Sequence, residues 1–326
     1  LSFHFIQGIY MRTLVVGAGA IGGYFGGRLL EAGQDVTFLV RERRAAELAQ
    51  SGLVIRSRFG DVTIPNPKMV LAENLHEHFD LVLLSCKAYD LEGAITSFAP
   101  AVGPNTAILP LLNGMRHLDI LDAHFGPQHV LGGQCLIAVT LNASREIIHL
   151  NDTHDLAFGE RDGSRSARAQ AIESIMASAK FSSRLSENIL QEMWAKWVFI
   201  ASGAGLTCLM RASVGDIVEA GEAGLATTLL HECSTIAKAE GFAPTATAME
   251  RSTKMLTQPG STLTASMLRD IEQGARIEAA HVIGDMLKRG EKHSVTSPLL
   301  RVVYAHLKAY EARRGREAKS SSAAVH

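Results

Sequence analysis

Leu14-Val15-Val16-Gly17-Ala18-Gly19-Ala20-Ile21-Gly22 is an apolar strand that runs directly into G-x-G-x-x-G, and a helical pattern follows it. Each glycine at that spacing has its own physical reason. Gly17 allows a tight turn, Gly19 lets backbone approach a phosphate, and Gly22 lets the next helix pack closely on the sheet. The first-turn amides of that helix, around Ala20 and Ile21, then face the anion. G-x-G-x-x-G alone is a weak signal in a chain with 29 glycines. With a strand before it and a helix after it, the stretch predicts a dinucleotide-binding unit at the start of a Rossmann-like, doubly wound α/β sheet.

The bulk numbers set bounds on the rest. A chain of 326 residues has room for two domains, and its 47% hydrophobic and 20% charged residues exclude a disordered chain. A net charge of −1 gives no reason to expect nucleic acid or an anionic membrane as partner. The longest apolar stretch, Trp197 to Met210, is interrupted by Ser202, Gly203, Gly205 and Thr207, and reads as a buried helix rather than a membrane span. Cys86, Cys135, Cys208 and Cys233 lie far apart and form no C-x-x-C pair, so neither a zinc site nor a disulfide framework is expected, and a reducing cytoplasm is the default. His76 and His78 have no third ligand in view and read as a polar loop, so no metal is expected. Residues 1–10 do not make a signal peptide, and Met11 is the expected natural start. Residues 1–10 and 313–326 are expected to be flexible ends.

Strands are expected at Arg12 to Val16, Val36 to Val40, Leu81 to Ser85, Ala107 to Leu112 and Leu136 to Leu141, forming a parallel sheet covered by helices. A hairpin inserts at Leu53 to Ile64 with its turn at Phe59-Gly60-Asp61. Ile147 to Leu150 and Leu156 to Phe158 extend the sheet's far edge. From Ser166 onward the pattern changes to helices: Ala167 to Ala179, Ser186 to Ala201, Gly221 to Glu240, Ala246 to Met255, Ser266 to Arg289 and Ser297 to Ala312. This gives a dinucleotide-binding domain over 11–180 and an all-α domain over 181–312.

In a doubly wound sheet, ligands lie at the carboxyl ends of the strands. After the second strand comes Arg41, where an NAD site would usually carry an acid for the ribose 2′-hydroxyl. With Arg43 and Arg44 nearby, Arg41 supplies a guanidinium for a 2′-phosphate and argues for NADP; the competing reading is a solvated arginine at a helix start. Lys87, after the third strand, and Asn113-Gly114, after the fourth, stand over the expected nicotinamide, although alone they read as a surface lysine and a turn. Lys196 lies between Trp194 and Trp197. It is either a snorkelling side chain or, if partly desolvated, a candidate acid near neutral pH. Glu278 follows Ser266 by twelve residues, which on one helix puts both on broadly one face; N-cap and surface charge are the plain alternatives.

Taken together, Gly17 to Gly27, Arg41, Ser85-Cys86-Lys87, Asn113-Gly114-Met115, Trp194-Ala195-Lys196 and Ser266-Met267-Leu268-Arg269-Asp270 with Glu278 resemble the ketopantoate reductase (2-dehydropantoate 2-reductase) family, from Met11 to about Tyr310. The resemblance implies a Rossmann-like domain joined to a helical domain of the 6-phosphogluconate-dehydrogenase-like type, with substrate in the cleft between them. It implies NADPH-dependent reduction of a 2-oxo acid, nominally 2-dehydropantoate to pantoate in pantothenate and coenzyme A biosynthesis. Lys196 is then the general acid, Glu278 holds and tunes it, Ser266 bonds the substrate carboxylate, and Asn113 and Lys87 line the nicotinamide and substrate side. A homodimer through the helical domain is also implied. The chain departs from the family pattern at Ile200 and Ala204, where the family tends to carry asparagines that bind substrate, so the substrate is expected to be less polar there.

Two other readings remain. One is an NADP-dependent hydroxyacid dehydrogenase working in the oxidative direction on a different substrate. The other is a non-catalytic NADP-binding regulatory protein.

Overall fold

The computed structural model describes residues 11–323, in two units. Among these, unit 1 takes residues 11–112 together with His117–Ile189, and unit 2 takes Asn113–Arg116 and residues 190–323. The chain changes unit at Ile189, later than the expected boundary at residue 180, and the short run Asn113–Arg116 belongs with the helices.

Unit 1 begins as the glycine motif predicts. Strand β1 (Thr13–Val16) leads into α1 (Ala20–Glu31), β2 (Val36–Leu39) and α2 (Glu42–Ser51). A hairpin, β3 (Leu53–Arg56) and β4 (Val62–Ile64), precedes β5 (Met69–Val70) and β6 (Phe79–Leu84). Then come α3 (Leu91–Phe98), β7 (Val102–Pro110), α4 (Arg116–Phe125), β8 (Gly132–Leu141), β9 (Ile147–Gly159), α5 (Ala167–Met176) and β10 (Ser182–Leu185). The first sheet runs β5-β2-β1-β6-β7 and is parallel throughout. Its strands are Val-, Ile- and Leu-rich and buried, as a sheet covered on both faces requires. The hairpin turn falls where expected, with Gly60 at φ 104° and its N–H donating to Ser57 O at 2.9 Å.

A second sheet corrects the expected extension of the first. Leu136 to Leu141 and the two segments at Ile147 to Leu150 and Leu156 to Phe158 do not join the parallel sheet. They form the antiparallel pair β8 and β9, which with β3, β4 and β10 makes a sheet of its own. The cause is connection length: only residues 142–146 separate β8 from β9, closed by Asn142 N–H to Glu146 O at 3.0 Å. A parallel partner needs a crossover of roughly a dozen residues or more.

Helix α1 is buried between the two sheets, and its glycine spacing explains how. A Cβ on Gly26 would lie 2.8 Å from the Phe38 ring of the first sheet, and one on Gly27 would lie 2.8 Å from Ile55 of the second. Gly22 and Gly23 repeat the two contacts one turn earlier, toward Val15 and Ile147. Gly-Gly-Tyr-Phe-Gly-Gly thus cuts two small-residue stripes into one helix, so each sheet approaches its backbone.

Unit 2 holds α6 (Ile189–Met210), α7 (Val214–Glu219), α8 (Ala223–Ala239), α9 (Ala246–Leu256) and α10 (Ser266–Glu272). A π turn (Ala280–Gly284), α11 (Asp285–Lys292) and α12 (Pro298–Ala323) complete it. Helix α6 is long and apolar enough to cross a bilayer, but its most apolar window is 61% buried within the protein, the mark of a core helix. The single helix expected over Ser266 to Arg289 is two. Helix α10 stops in a Schellman turn, with Gly274 at φ 65°, its N–H donating to Ile271 O at 3.0 Å and that of Ala275 to Asp270 O at 2.8 Å. Residues 313–323, expected as a flexible end, continue α12. Tyr310 and Arg314 hold this helix down by donating to Ala275 O and Gly274 O at 2.8 and 2.7 Å. The expected ends at 1–10 and 324–326 lie outside the described residues.

Candidate active site

In unit 1 the site is made of backbone. Gly17 takes φ 92°, a left-handed value that a side chain would strain, and its N–H donates to Leu39 O at 3.0 Å. A Cβ on Gly22 would fall 2.2 Å from both Gly17 O and Ser85 Oγ, so the helix can start this close to the loop only with glycine there. Ser85, at the end of β6, donates its hydroxyl to Val16 O at 3.1 Å and pins the loop from the neighbouring strand. Gly19 differs, because nothing lies within 4 Å of where its Cβ would be. It is the N-cap of α1 and brings no side chain to the first-turn amides, and no acid stands in that turn. Open space over Gly19 and a helix N-terminus left to bind an anion fit a dinucleotide pyrophosphate.

Arg41 is the N-cap residue of α2, with 81% of its side chain exposed and Asp90 3.8 Å away. Its two neighbours are committed elsewhere. Arg43 pairs with Glu47 at 3.2 Å, and Arg44 donates to Ala18 O at 2.9 Å and to Glu47 at 3.1 Å, bracing the glycine loop from beneath. Of the three arginines, Arg44 is the least exposed, at 12% against 81% for Arg41 and 87% for Arg43. Lys87 is half-buried just past β6, where it caps the short 3-10 turn Ala88–Asp90.

In unit 2 the candidates are side chains on separate elements. Trp194 and Trp197 are fully buried, their rings 4.8 Å apart, with Phe242 stacked on the first and Arg289 over both at 5.8 and 5.9 Å. Arg289 is itself held by Asp285 and Glu240, each at 3.0 Å. Lys196 is next to Trp197 and two residues after Trp194 in sequence, but on the helix it faces another way. At ~100° per residue it projects roughly 130° round the helix from the tryptophan pair. It lies on the less buried stripe of α6, formed by Glu192, Ala195, Lys196, Phe199, Ile200 and Gly203. Ile200 shares that stripe one turn on, and Ala204 is buried.

Ser266 is the first residue of α10, exposed, with Ala265 rather than Ser266 as the N-cap. Glu278 is half-buried in the segment that leads into the π turn. The expectation that both lie on one face of one helix fails at Gly274. Glu278 is nevertheless fixed, its carbonyl accepting from His281 N–H at 3.1 Å and Val282 N–H at 2.9 Å. Asn113, half-buried, belongs to the same unit, and the imidazole of His281 hydrogen-bonds to its backbone. His281 was not singled out in the sequence. A lone histidine three residues after a glutamate carries no signal there, and only the fold shows what it touches.

Burial pushes both Cys208 and Cys233 up to about 12, so they stay protonated.

Comparison with known proteins agrees with both halves. Residues 13–163 match the family Ketopantoate reductase PanE/ApbA, and residues 188–311 match Ketopantoate reductase PanE/ApbA C terminal. The uncharacterized oxidoreductase YkpB of Bacillus subtilis (strain 168) is 40% identical over 306 residues, which is 93% of this chain and all of that one. The 2-dehydropantoate 2-reductase of Mesorhizobium japonicum is 26% identical over 94% of this chain and 99% of its own length. Among solved structures, the 2-dehydropantoate 2-reductase from Methylococcus capsulatus superposes with a TM-score of 0.82 at 28% identity, covering 93% of this chain and 98% of that chain. Members of the family are NAD(P)H-dependent dehydrogenases with a Rossmann fold. A glycine loop shaped for a pyrophosphate, a helical unit that carries the lysine and glutamate, and matches over nearly the whole chain lead to one conclusion: this oxidoreductase belongs to the ketopantoate reductase family.

Proposed function

We propose that the chain reduces a 2-oxo acid to a 2-hydroxy acid with NADPH, and that Lys196 is the general acid. The observation that carries this reading is the stripe on α6. The lysine stands on its less buried side, turned away from the tryptophan core, half-buried and one turn from Ile200. When bound, NADPH supplies the hydride for the carbonyl carbon. The ammonium of Lys196 then stabilises the negative charge developing on the carbonyl oxygen and gives it the proton, so the ketone gains two electrons and two hydrogens overall. Glu278 holds that ammonium in place. Ser266 and Asn113 bond the substrate, and Lys87 and Asn113 line the nicotinamide side.

Preference for NADPH over NADH rests on Arg41, exposed at the N-terminus of α2 and standing at the position where an acid would bond a ribose hydroxyl. Ketopantoate is the nominal substrate. Ile200 and Ala204 supply no amide for a hydroxylated side chain, so the reading favours a 2-oxo acid with an apolar one. The free cysteines among the described residues suit a reducing cytoplasm.

The test is NADPH oxidation, followed by absorbance, with a panel of 2-oxo acids that runs from ketopantoate to aliphatic and aromatic side chains. Turnover is expected, with kcat/KM higher for the apolar members than for ketopantoate. No oxidation with any member overturns the reaction. In the same assay Arg41→Ala raises the KM for NADPH about tenfold and leaves that for NADH unchanged; equal losses would remove Arg41 as the phosphate ligand.

A further inference from the structure

We propose that His281 is a positioning residue: from the π turn that follows Glu278, its imidazole holds the backbone of the Asn113-Gly114 turn, so that Asn113 and Glu278 keep a fixed spacing toward one substrate. The inference rests on the reading of those two residues as substrate-side groups.

Three observations meet at this ring. An imidazole N–H donates to the Asn113 carbonyl. Gly114, the next residue, has φ 81°, and a Cβ there would lie 3.2 Å from His281 Cδ2 and 3.3 Å from His281 O, so the turn is pressed against both ring and backbone of the histidine. Only 6% of His281 is exposed, and the residues Asn113–Arg116 group with the helical unit although the chain on either side does not.

The platform behind the ring is rigid. A π turn is rare and departs from regular helix geometry, and it is frequent at functional sites. Here it is tied on three sides. Glu278 O accepts from His281 N–H and Val282 N–H at 3.1 and 2.9 Å. Trp197, next to Lys196 on α6, donates its indole N–H to Val282 O at 2.9 Å. The Tyr304 ring of α12 comes within 2.9 Å of where a Cβ on Gly284 would be. One turn of chain is therefore bonded to the backbone of Asn113, to the backbone of Glu278 and to the residue beside Lys196. Burial, with help from Arg116, holds the imidazole below its ordinary range against the opposing pull of Glu278 and Asp285. A neutral ring has a single N–H, and the Asn113 carbonyl fixes which nitrogen carries it. The residue acts through Asn113 and Glu278 rather than on the substrate.

The test compares His281→Leu, which removes the donor at similar volume, with His281→Gln, which keeps an N–H. Hydrogen–deuterium exchange of the peptide spanning residues 112–117 is read on the ligand-free protein, and kcat, KM and the NADPH dissociation constant are read on the best 2-oxo acid of the panel. H281L is expected to speed exchange at least about tenfold and to lower kcat about 10- to 100-fold, the scale of a small misplacement, with a smaller loss in NADPH binding than in kcat. H281Q is expected to stay near the parent in both. Unchanged exchange and kcat in a folded H281L, or an H281Q as impaired as H281L, overturns the proposal. If H281L does not fold, H281Q decides alone: values near the parent support the proposal, and a tenfold change in both overturns it. Exchange needs neither cofactor nor substrate, so the two readings fail separately. A turn released by H281L in a protein that reduces no 2-oxo acid overturns the reaction and keeps the hold on the turn, and the reverse pair of results overturns the hold alone.

Discussion

The glycine loop of unit 1 and the helices of unit 2 present their groups in opposite ways. The loop offers backbone: the amides at the start of α1, the open space over Gly19 and a chain pressed so close that Gly22 has no room for a methyl group. The helical unit offers side chains from four places: Lys196 on α6, Ser266 on α10, Glu278 before the π turn and Asn113 on a short run of chain far away in sequence. A backbone site is specified by what residues lack, and a side-chain site by what they carry and what holds them. The first should fail sterically when altered and the second chemically.

Lys196→Ala is the largest expected break in that comparison. A general acid contributes roughly 10²- to 10⁴-fold, so kcat should fall by that much while NADPH binding and melting temperature stay near the parent. Single-turnover measurement separates the chemical step from product release. A variant with unchanged turnover would make Lys196 a passive half-buried lysine and leave unit 2 without its acid.

Two alanines in the loop sharpen the contrast on the other side. Gly22→Ala puts a methyl group 2.2 Å from Gly17 O and Ser85 Oγ. Overpacking of this kind costs about 1–3 kcal/mol and forces backbone to move. Both melting temperature and NADPH affinity should drop, the affinity by roughly 10- to 100-fold, or about 1.4–2.7 kcal/mol. Gly19→Ala adds its methyl group to open space at an ordinary φ of −79°. Stability should be unaffected, and affinity should fall because the methyl group occupies the approach of the pyrophosphate. If calorimetry and NADPH titration show both variants losing stability alike, the assignment of separate roles to the two glycines is wrong.

The same contrast explains what the sequence made legible. Glycine spacing is a statement about sterics, so the order of β1, loop and α1 and the hairpin at Gly60 could be read without a structure. The separate second sheet is readable in principle from the five residues between β8 and β9, whereas the composition of the apolar runs is the same in either sheet. Gly274 carries the mark of a helix end, but apolar residues recur at helical spacing on both sides of it and hide the break. Residues 313–323 are charged and polar all round, a pattern that lacks an apolar face, and what keeps them helical is anchoring by Tyr310 and Arg314 to the carbonyls of that same break. Side-chain placement was the least legible. Trp194-Ala195-Lys196-Trp197 suggests a lysine among tryptophans, whereas helix geometry turns the lysine away from them. His281 bears on Asn113 across more than 160 residues of sequence, a relation no local pattern encodes.

The smallest expected effect is on acid stability, and it too divides by unit. His154 in unit 1 is held below the ordinary 6.5 by burial and by His149 and Arg28, against Asp155, while it shares a 2.8 Å hydrogen bond with Tyr24. In unit 2 His281 is held below 6.5 by burial and Arg116, against Glu278 and Asp285. In both cases the folded protein resists a proton that the unfolded chain accepts. Stability is therefore complete above about pH 6.5 and declines as pH falls from there toward the folded values. Glu160, lowered by Arg168 and Ser166, adds a separate loss further down, below its ordinary 4.5. Melting temperature measured from pH 7.5 to 5.5 should decrease, and His154→Gln and His281→Gln should each flatten part of the slope. A melting temperature that rises over this interval would mean that the charged imidazoles are the better accommodated forms. For His281 the charged ring would keep its N–H to the Asn113 carbonyl, a bond that itself favours the protonated form, so the hold on the turn would survive that result while the burial cost assigned to the ring would not.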